Sequence, residues 1–515
     1  MTTNTNQDEL IAFLRSPDAW RDRSAKVETI ETHGALVFMA GDEVLKVRRA
    51  VRLPYLNFST LEARRRFAER EMTLNAPHAP GLYRGVVAVT READGSFAVG
   101  GRGTPVEWAV RMARFSQDAL LSAVVDRDGL PEPLAKELAD VVFKYHQAAT
   151  RSETERDGIS GLLRSVLTSH SGSTDFRVQE ATERIVRLAR TAVEKSAAIR
   201  SERARAGFIR RCHGDLHLGN IVMWHGHPVP FDAIEFDEAL ATVDTLYDLA
   251  FLLMDLDRHK AREAANIVFN RYLWRSGDVR DVQALAAMPL YLALRAAIRA
   301  MVALDRAQLG VGDASGSVAA ALATLSYAET YLTPVPARLI GIGGFSGTGK
   351  TTLAKALAPA IGAAPGALHV RSDLERKWLA EVEETERLPE SSYTAEASRA
   401  VYERVMARAQ AALQAGQSVI VDAVLAKASE RAELEAIARQ VGCRFNGLWL
   451  TAGSEVLKTR VEARVGDASD ATARVVELQN RIDTGAISWT TIDVGGDVQG
   501  SVALARAALE VDAYQ

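Results

Sequence analysis

The segment from Gly344 to Thr351 constrains this chain more than any other, because its glycines and its lysine occur in a fixed spacing. It reads GFSGTGKT, fits the pattern G-x-x-x-x-G-K-[ST], and lies between the apolar run LIGIGG and the helix-like run TLAKALA. In this setting backbone N–H groups curve around a phosphate, Lys350 adds positive charge, and the Thr351 hydroxyl can bind Mg²⁺. We therefore predict a nucleotide-phosphate site made by Gly344, Ser346, Gly347, Thr348, Gly349, Lys350, Thr351 and Thr352.

Strand-like runs alternate with helical segments from this loop to the end of the chain. The runs ALHVRSD, SVIVDAV and FNGLWL are separated by helical segments around 395–415 and from 428. This rhythm is typical of a parallel sheet with helices on both faces. Before it, the TPVP segment at 333–336 cannot continue a helix. We therefore predict two domains, at residues 1–335 and 337–515.

Two carboxylates end strand-like runs in the second half. Asp373 ends one run, and its carboxylate could accept the proton of an attacking hydroxyl. Arg376 and Lys377 follow one helical turn later and could hold an anion. Asp422 ends the run SVIVD, where a carboxylate could organise Mg²⁺ and water. Helix capping at the strand ends is the alternative interpretation of both carboxylates.

Arg460 and Arg464 are four residues apart in LKTRVEARVGDASDAT and are predicted to share a helix face. They could close over the transferring phosphoryl group, with a solvated helix face as the alternative. Residues 337–500 resemble the small P-loop kinases grouped with polynucleotide kinase, gluconate kinase and zeta toxin, through GFSGTGKTT, RSDLERK, GQSVIVDAV and a lid-like LKTRVEARVGDASDA. The resemblance implies that Asp373 handles the acceptor hydroxyl and that the two arginines contact nucleotide phosphates.

A second constellation lies in the first half, where residues 213–220 read HGDLHLGN and are followed by PFDAIEF. Phosphoryl transfer needs a carboxylate that orients and deprotonates a hydroxyl. It also needs an amide oxygen and a second carboxylate that hold Mg²⁺. Asp215, Asn220 and Asp232 fit these three roles in that order. A polar turn whose side chains bond the backbone is the alternative.

Residues further upstream suggest a nucleotide pocket for this constellation. Lys46 lies in the strand-like VLKV and could pair with the α- and β-phosphates. Glu69 or Glu71 on the next helix could orient that lysine, and we place Glu69 in the site while the choice stays open. VEWAVRM is predicted to be an extended connector whose backbone contacts adenine, with Met112 as an apolar contact.

These segments resemble the aminoglycoside phosphotransferase and choline kinase-like family over roughly residues 25–330. The resemblance implies a protein-kinase-like bilobal fold, with a small lobe at about 1–112 and a helical large lobe at about 113–335. It makes Asp215 the catalytic base and Asn220 and Asp232 the Mg²⁺ ligands. Asp248 would brace the catalytic loop. The expected glycine-rich nucleotide loop is not evident, because ETHGALVFMAG has two glycines only.

The fold class predicted is therefore α/β and α+β multidomain: a kinase-like bilobal fold followed by a P-loop parallel-sheet domain. The whole arrangement resembles bacterial two-domain proteins described as bifunctional aminoglycoside phosphotransferase and ATP-binding proteins. We expect an ATP- and Mg²⁺-dependent kinase with two sites that phosphorylates hydroxyl groups of small molecules, sugars or aminocyclitol-like compounds foremost. One alternative is a single kinase with a regulatory nucleotide-binding module. Another is a kinase of polynucleotide 5′-hydroxyls or nucleotide sugars.

The composition and net charge limit the kinds of partner that this chain is expected to bind. The chain of 515 residues is 47% hydrophobic and 25% charged, and its 62 basic and 66 acidic residues give a net charge of −4. Such a chain has no global attraction to nucleic acid or anionic lipid, and the arginine-rich stretches 64–66 and 200–211 are predicted to be solvated helix faces.

Two cysteines, Cys212 and Cys443, fit a reducing cytoplasm. The first residues, MTTNTNQDEL, show no signal-peptide pattern, and the apolar run 249–256 is too short to span a bilayer. Asp255, Asp257 and Glu235 could line an acidic acceptor cleft but are interpreted as ordinary surface acids. The sequence leaves the oligomeric state open.

Overall fold

A computed structural model describes residues 5–32, 34–53, 56–154, 158–159, 161–164, 166, 175–308, 314–464 and 466–510. Spatial contacts divide the chain into two compact units. The first unit contains Met1–Leu130, Lys144–Gly158 and Gly207–Leu252, and the second contains Pro131–Phe143, Ile159–Ala206 and Leu253–Gln515. The helices after Leu253 thus belong with the C-terminal sheet, so the units do not follow the predicted division near residue 335. That domain boundary stays a prediction.

Helices and strands are numbered here in chain order. The helices among the described residues are α1 (Thr5–Arg15), α2 (Leu61–Asn75), α3 (Leu121–Asp128), α4 (Glu132–Ala148), α5 (Phe176–Arg205), α6 (Glu238–Ala241), α7 (Thr245–Arg258), α8 (Arg262–Ser276), α9 (Val279–Gln283), α10 (Met288–Gln308), α11 (Ala314–Leu332), α12 (Lys350–Leu357), α13 (Ser372–Leu379), α14 (Ala395–Gln414), α15 (Ala428–Val441), α16 (Ser454–Glu462), α17 (Ala473–Gln479) and α18 (Val498–Leu509). The strands are β1 (Glu28–Glu31), β2 (Ala35–Ala40), β3 (Glu43–Arg48), β4 (Arg52–Leu53), β5 (Leu56–Asn57), β6 (Tyr83–Arg91), β7 (Phe97–Val99), β8 (Thr104–Ala113), β9 (Ile209–Arg211), β10 (Ile221–Trp224), β11 (His227–Pro230), β12 (Thr242–Asp244), β13 (Arg338–Gly343), β14 (Leu368–Arg371), β15 (Val419–Asp422), β16 (Arg444–Thr451) and β17 (Thr490–Asp493).

The first unit is built on an antiparallel sheet in the order β1-β2-β3-β8-β6-β7. Residues alternate across β3: Leu45 and Val47 pack with Leu10 of α1, whereas Val44 lies in the apolar cluster on the opposite face. Lys46 has the same parity as Val44, so it is presented on that opposite face. The pairs β4-β5, β10-β11 and β9-β12 are the other described strands of this unit.

The second unit contains a parallel sheet in the order β14-β15-β13-β16-β17. Its core joins Ile340 and Ile342 of the central strand β13 to Leu353 and Leu357 of α12. The loop between β13 and α12 follows the carboxyl end of the central strand, which is where parallel sheets bind ligands. The predicted fold class is confirmed: an antiparallel sheet with helices precedes a parallel α/β sheet.

Arginines in the two basic stretches are buried in places, so the prediction of solvated helix faces is wrong for them. Arg64 is 7% exposed and donates from Nε to Glu107 Oε1 at 2.8 Å. Arg203 is fully buried and donates from Nη1 to Asp281 Oδ1 at 2.6 Å. A run of arginines predicts a charged face, but it does not reveal that a distant carboxylate covers it.

One apolar helical stretch within the described part of the chain, Val279–Asp305, is long and apolar enough to cross a membrane by length and composition alone. Of its most apolar window, 67% is buried inside the protein. Core helices of globular folds meet the same test, so the stretch is weak support for a membrane span.

The helix end at Gly277 generates one prediction about stability. Gly277 ends α8 with φ at +62°, and a Cβ there would lie 2.0 Å from Trp378 Nε1. Gly442 ends α15 with φ at +75° and open space around it. We expect Gly442→Ala to cost about 1–2 kcal/mol, from the left-handed backbone alone. Gly277→Ala should cost a further ~1–3 kcal/mol for overpacking, measured by urea unfolding, and equal losses would contradict the close approach.

Asp140 generates a prediction about pH. It accepts hydrogen bonds from Arg271 Nε at 2.7 Å and Arg275 Nε at 2.9 Å. Burial alone would raise the pKa of Asp140, but these bonds lower it to about 2 from its ordinary value of 3.8. The stabilisation is therefore fully present above the ordinary pKa and is lost as pH falls through the folded pKa.

We expect Asp140→Asn to lower the free energy of unfolding by roughly 2 kcal/mol at neutral pH. The difference from wild type should shrink between about pH 4 and pH 2, as followed by urea titrations. Asp128→Asn is the control, because Asp128 pairs only locally with Arg127 and its side chain is 55% exposed. A difference that does not change with pH would contradict the assignment.

Candidate active sites

Lys46 is the centre of the site in the first unit. Its ammonium donates to Glu71 Oε1 at 2.9 Å and also to Asp232 Oδ1. Burial alone would lower the pKa of Lys46, but Asp232 and Glu71 raise it above its usual value. The predicted partner Glu69 is wrong, because Glu69 bonds Arg65 Nε at 2.9 Å on the exposed face of α2. The two glutamates are two positions apart and so lie on different faces of the helix.

Arg48 and Glu235 extend this network. The sequence analysis did not single out Arg48, and it interpreted Glu235 as a surface acid. The Arg48 guanidinium, on the same face of β3 as Lys46, pairs with both Glu71 and Glu235. Glu235 is 3% exposed, so its interpretation as a surface acid is wrong. Burial raises the pKa of Glu235 to about 7 against the opposing charge of Arg48. Asp255 and Asp257, in the second unit, are also buried, at 2% and 5% exposure.

The loop after β9 presents the predicted acidic and amide residues. Asn220 Nδ2 donates to Asp215 Oδ2 at 2.9 Å and to the Asp215 carbonyl at 3.0 Å. Asp248 holds the start of this loop by accepting from the His213 and Gly214 amides at 3.1 and 2.9 Å. The loop is therefore held by hydrogen bonds within itself and to Asp248, and one of them is the side-chain-to-backbone bond that the polar-turn alternative expects.

Asp232 follows the hairpin in the left-handed region, with φ at +61°. Its amide donates to the Tyr83 hydroxyl at 3.1 Å. The side chains of Asp215 and Asp232 are 38% and 39% exposed, so both carboxylates can reach a ligand. The structure thus brings Lys46, Asp215, Asn220 and Asp232 to one place.

The predicted connector VEWAVRM is a strand, which corrects its role. These residues belong to β8, and β3 and β6 pair with it on either side, so its backbone is occupied by the sheet. Met112 is 5% exposed within the apolar cluster that contains Met39 and Val44. The segment that leaves the strand, Arg114-Phe115-Ser116, lines an open cleft of about 960 Å³ together with Met39.

In the second unit the phosphate-binding loop connects β13 to α12, as predicted. Gly344 has φ at +137°, and a Cβ there would lie 2.6 Å from the Leu450 carbonyl. Gly347 has φ at +91°, and a Cβ there would lie 2.6 Å from the Leu457 carbonyl. Lys350 Nζ donates to the Phe345 carbonyl at 3.0 Å. Burial lowers the pKa of Lys350, and nearby Arg464 and Arg371 lower it further against the opposing Asp422 and Asp373.

Asp422 is bonded to the loop as a cation-organising carboxylate should be. Thr351 Oγ1 donates to Asp422 Oδ2 at 2.6 Å. His369 Nε2 lies 3.2 Å from the same oxygen. Burial alone would raise the pKa of Asp422, but the His369 hydrogen bond and nearby cations lower it below its usual range. His369 was not predicted, although its parity with Arg371 at the end of β14 is a signal that could have found it.

Asp373 lies at the start of α13, 3.6 Å from Arg371 Nη2, with its side chain 36% exposed. The prediction that Arg376 and Lys377 hold an anion is wrong for Lys377. Lys377 is 1% exposed and pairs with Asp470 at 2.8 Å. Arg376 Nη1 donates to the Ser392 carbonyl at 2.7 Å.

Arg460 and Arg464 do not share a helix face, because α16 ends at Glu462. Arg464 lies in the loop beyond, and its charge acts on Lys350. Arg460 Nη2 donates to the Gly496 carbonyl at 3.2 Å. It lines a cleft of about 140 Å³ with Thr348, Gly349 and Thr352.

The donor sets fit a nucleotide with Mg²⁺ at both sites. In the second unit, Gly344 and Gly347 have positive φ and leave no room for a Cβ beside the Leu450 and Leu457 carbonyls, which fixes the tight turn of the phosphate-binding loop. Thr351 and Asp422 present hard oxygen ligands beside it. In the first unit, Asn220 and Asp232 offer oxygen ligands near Lys46.

Residues 339–482 match the model of the AAA domain family. That range contains the phosphate-binding loop together with Asp373, Asp422, Arg460 and Arg464. Uncharacterized proteins of Mycobacterium bovis and Mycobacterium tuberculosis are 29% identical to this chain over 492 residues, which cover 92% of this chain and 94% of theirs.

The comparison with solved structures found kinases that each cover part of this chain. A gluconokinase from Sinorhizobium meliloti covers 34% of this chain and 93% of its own, at 21% identity and a TM-score of 0.25. A choline/ethanolamine kinase family protein from Mesorhizobium loti covers 64% of this chain and 99% of its own, at 17% identity and a TM-score of 0.36.

The glutamate pairing of Lys46 generates a prediction. We expect Glu71→Gln to weaken binding of a fluorescent ATP analogue at the first site by at least about tenfold, because Lys46 loses a charge-assisted partner. Glu69→Gln, on the same helix, should change binding less than about twofold. Titrations are made in a Lys350→Ala background, with thermal unfolding as a check on folding. Equal effects of the two variants would contradict the assignment.

Proposed function

We propose that this protein is a bifunctional ATP- and Mg²⁺-dependent phosphotransferase that phosphorylates hydroxyl groups of small molecules, with one site in each unit. One observation carries the proposal: a buried lysine lies beside cation-binding oxygens in each of two different folds. Lys46 lies beside Asp232 in the first, and Lys350 lies beside the Thr351–Asp422 pair in the second. Bound Mg²⁺–ATP supplies the phosphoryl group and neutralises the charge that develops during its transfer.

In the first unit, Asp215 orients the acceptor hydroxyl and takes its proton. The hydrogen bond from Asn220 Nδ2 holds the Asp215 carboxylate, and the Asn220 amide oxygen would be one cation ligand. Asp232 would be the second cation ligand, and Lys46 would bind the nucleotide phosphates while Glu71 holds its ammonium in place.

In the second unit, backbone N–H groups at the start of α12 and the ammonium of Lys350 bind phosphate. Thr351 and Asp422 would hold the cation, and Asp373 would orient and deprotonate the acceptor hydroxyl. Arg460, with a carbonyl partner next to the small cleft, would contact the nucleotide, and Arg464 would neutralise phosphoryl charge.

The acceptors proposed are sugars or aminocyclitol-like compounds. A chain with a net charge of −4 is poorly suited to a nucleic-acid acceptor. We place the reaction in the cytoplasm, where ATP is supplied and where the free thiols of Cys212 and Cys443 are stable.

The test is ATP consumption with product mass analysis, over a panel of sugars, aminoglycosides, nucleosides and 5′-hydroxyl oligonucleotides. Asp215→Ala and Lys350→Ala should each abolish a different product, with losses of at least about 100-fold, because each removes a group used in one site only. Asp128→Ala and Lys427→Ala change exposed residues of the same types and should be neutral.

Two results would contradict the proposal. If only one of the two variants affects turnover, the other unit is a regulatory nucleotide-binding module. If the phosphate acceptor is an oligonucleotide, and binding falls steeply with salt, the small-molecule assignment is wrong.

A further inference from the structure

β14 is an edge strand of the parallel sheet, and its free edge is covered by side chains of α8. On one side β14 pairs with β15. On the other side, Asn270 Oδ1 accepts a hydrogen bond from the His369 amide at 2.7 Å. Asn266 and Asn270 donate from Nδ2 to the Ala367 carbonyl at 3.1 and 3.2 Å. The two asparagines thus bond backbone groups that a neighbouring strand would otherwise satisfy.

The same helix holds the start of α13. Trp274 Nε1 donates to the Leu374 carbonyl at 2.9 Å, one residue after Asp373. The end of α8 is held in turn by α14, because Arg404 donates to the Gly277 carbonyl at 3.0 Å. Arg404 also pairs with Glu375 of α13. α8, α13 and α14 are therefore joined by hydrogen bonds near the start of α13.

An ion-pair group fixes α8 beside this cluster. Arg271 bonds Asp140 of α4 and also Glu384 at 2.7 Å. Lys136 of α4 bonds Glu384 at 2.9 Å. These partly buried charges therefore tie α8 to α4 and to Glu384 at several points, not by one contact.

The contacts of α8 lead through β14 to residues that we propose act in the phosphate-binding-loop site. His369, whose amide is held by Asn270, carries the ring that bonds Asp422. Asp422 in turn accepts from Thr351. A shift of β14 along its edge would move the His369 ring and remove one of the two hydrogen bonds that orient the Asp422 carboxylate.

We propose that α8 is a working part of the phosphate-binding-loop site, with Asn270 and Trp274 as positioning residues. Asn270 sets the orientation of Asp422 through His369, and Trp274 sets that of Asp373 through the start of α13. This inference rests on the proposed function of the second unit. It assigns to that site two residues that lie more than sixty positions before the loop in the sequence.

The experiment uses the full chain with Lys46→Ala, so that the first site does not bind nucleotide. Hydrogen–deuterium exchange reports the amides of residues 368–371, and a fluorescent ATP analogue is titrated with and without Mg²⁺. For Asn270→Ala we expect exchange in this segment to rise about tenfold. The gain in affinity on adding Mg²⁺ should fall about fivefold, because the Asp422 carboxylate loses the orienting contact of His369 and keeps only that of Thr351.

Affinity without Mg²⁺ should change less than about twofold, because the loop backbone is untouched. Glu263→Ala, an exposed position on the same helix, is the matched control and should change neither quantity. Trp274→Phe keeps an aromatic ring at this position but removes the indole N–H that bonds the Leu374 carbonyl. It should lower phosphate release, with water as acceptor, several-fold at unchanged KM for ATP.

Each contrary outcome has a distinct meaning. Raised exchange with an unchanged Mg²⁺ effect would show that α8 only packs against the sheet, which overturns the proposal. Unchanged exchange would show that the Asn270 bond is not formed, which also overturns it. If Lys350→Ala in the same background fails to abolish analogue binding, the proposed function of this site is wrong, and the exchange data still judge the α8 contact.

Discussion

Each site contains a buried lysine, and the two units compensate its positive charge in different ways. In the first unit, Lys46 and Arg48 lie among Glu71, Asp232 and Glu235, so carboxylates compensate the buried cations directly. In the second unit, Lys350 donates to a carbonyl, and its pKa is lowered by burial and by nearby Arg464 and Arg371 against the opposing Asp422 and Asp373. A buried ammonium whose charge is only partly compensated is costly. We therefore expect the second site to gain more from a bound anion than the first, where the lysine already pairs with carboxylates.

Much of this arrangement could be predicted from the sequence. The glycine spacing of 344–351 specified the loop between strand and helix, and HGDLHLGN specified a loop that carries Asp215 and Asn220. These segments can be recognised in the sequence because their backbone geometry requires particular residue types at particular spacings. Polar residues at the carboxyl ends of parallel strands were readable for the same reason, and Asp422 was found in this way.

What the sequence did not show depends on partners far away in the chain. Glu69 and Glu71 differ only in helix face, and the choice depended on where Arg65 and Lys46 lie in space. The structure resolves the choice, because the buried residues of α2, Arg64, Ala68, Glu71 and Asn75, recur at helical spacing and form one face. The contribution of α8 was not visible, because asparagine side chains that cover a sheet edge leave no periodic pattern.

The left-handed backbone at Asp232 has a consequence for how this chain can change over time. Only glycine, asparagine and aspartate adopt such a conformation without strain. The residue at position 232 thus meets two constraints. Its backbone must adopt the left-handed conformation, and its side chain must supply a carboxylate. A lineage that lost the proposed activity would relax the second constraint and keep the first. Asparagine or glycine at position 232, in an otherwise intact hairpin, would then be the mark of a descendant that kept the fold after catalysis was gone.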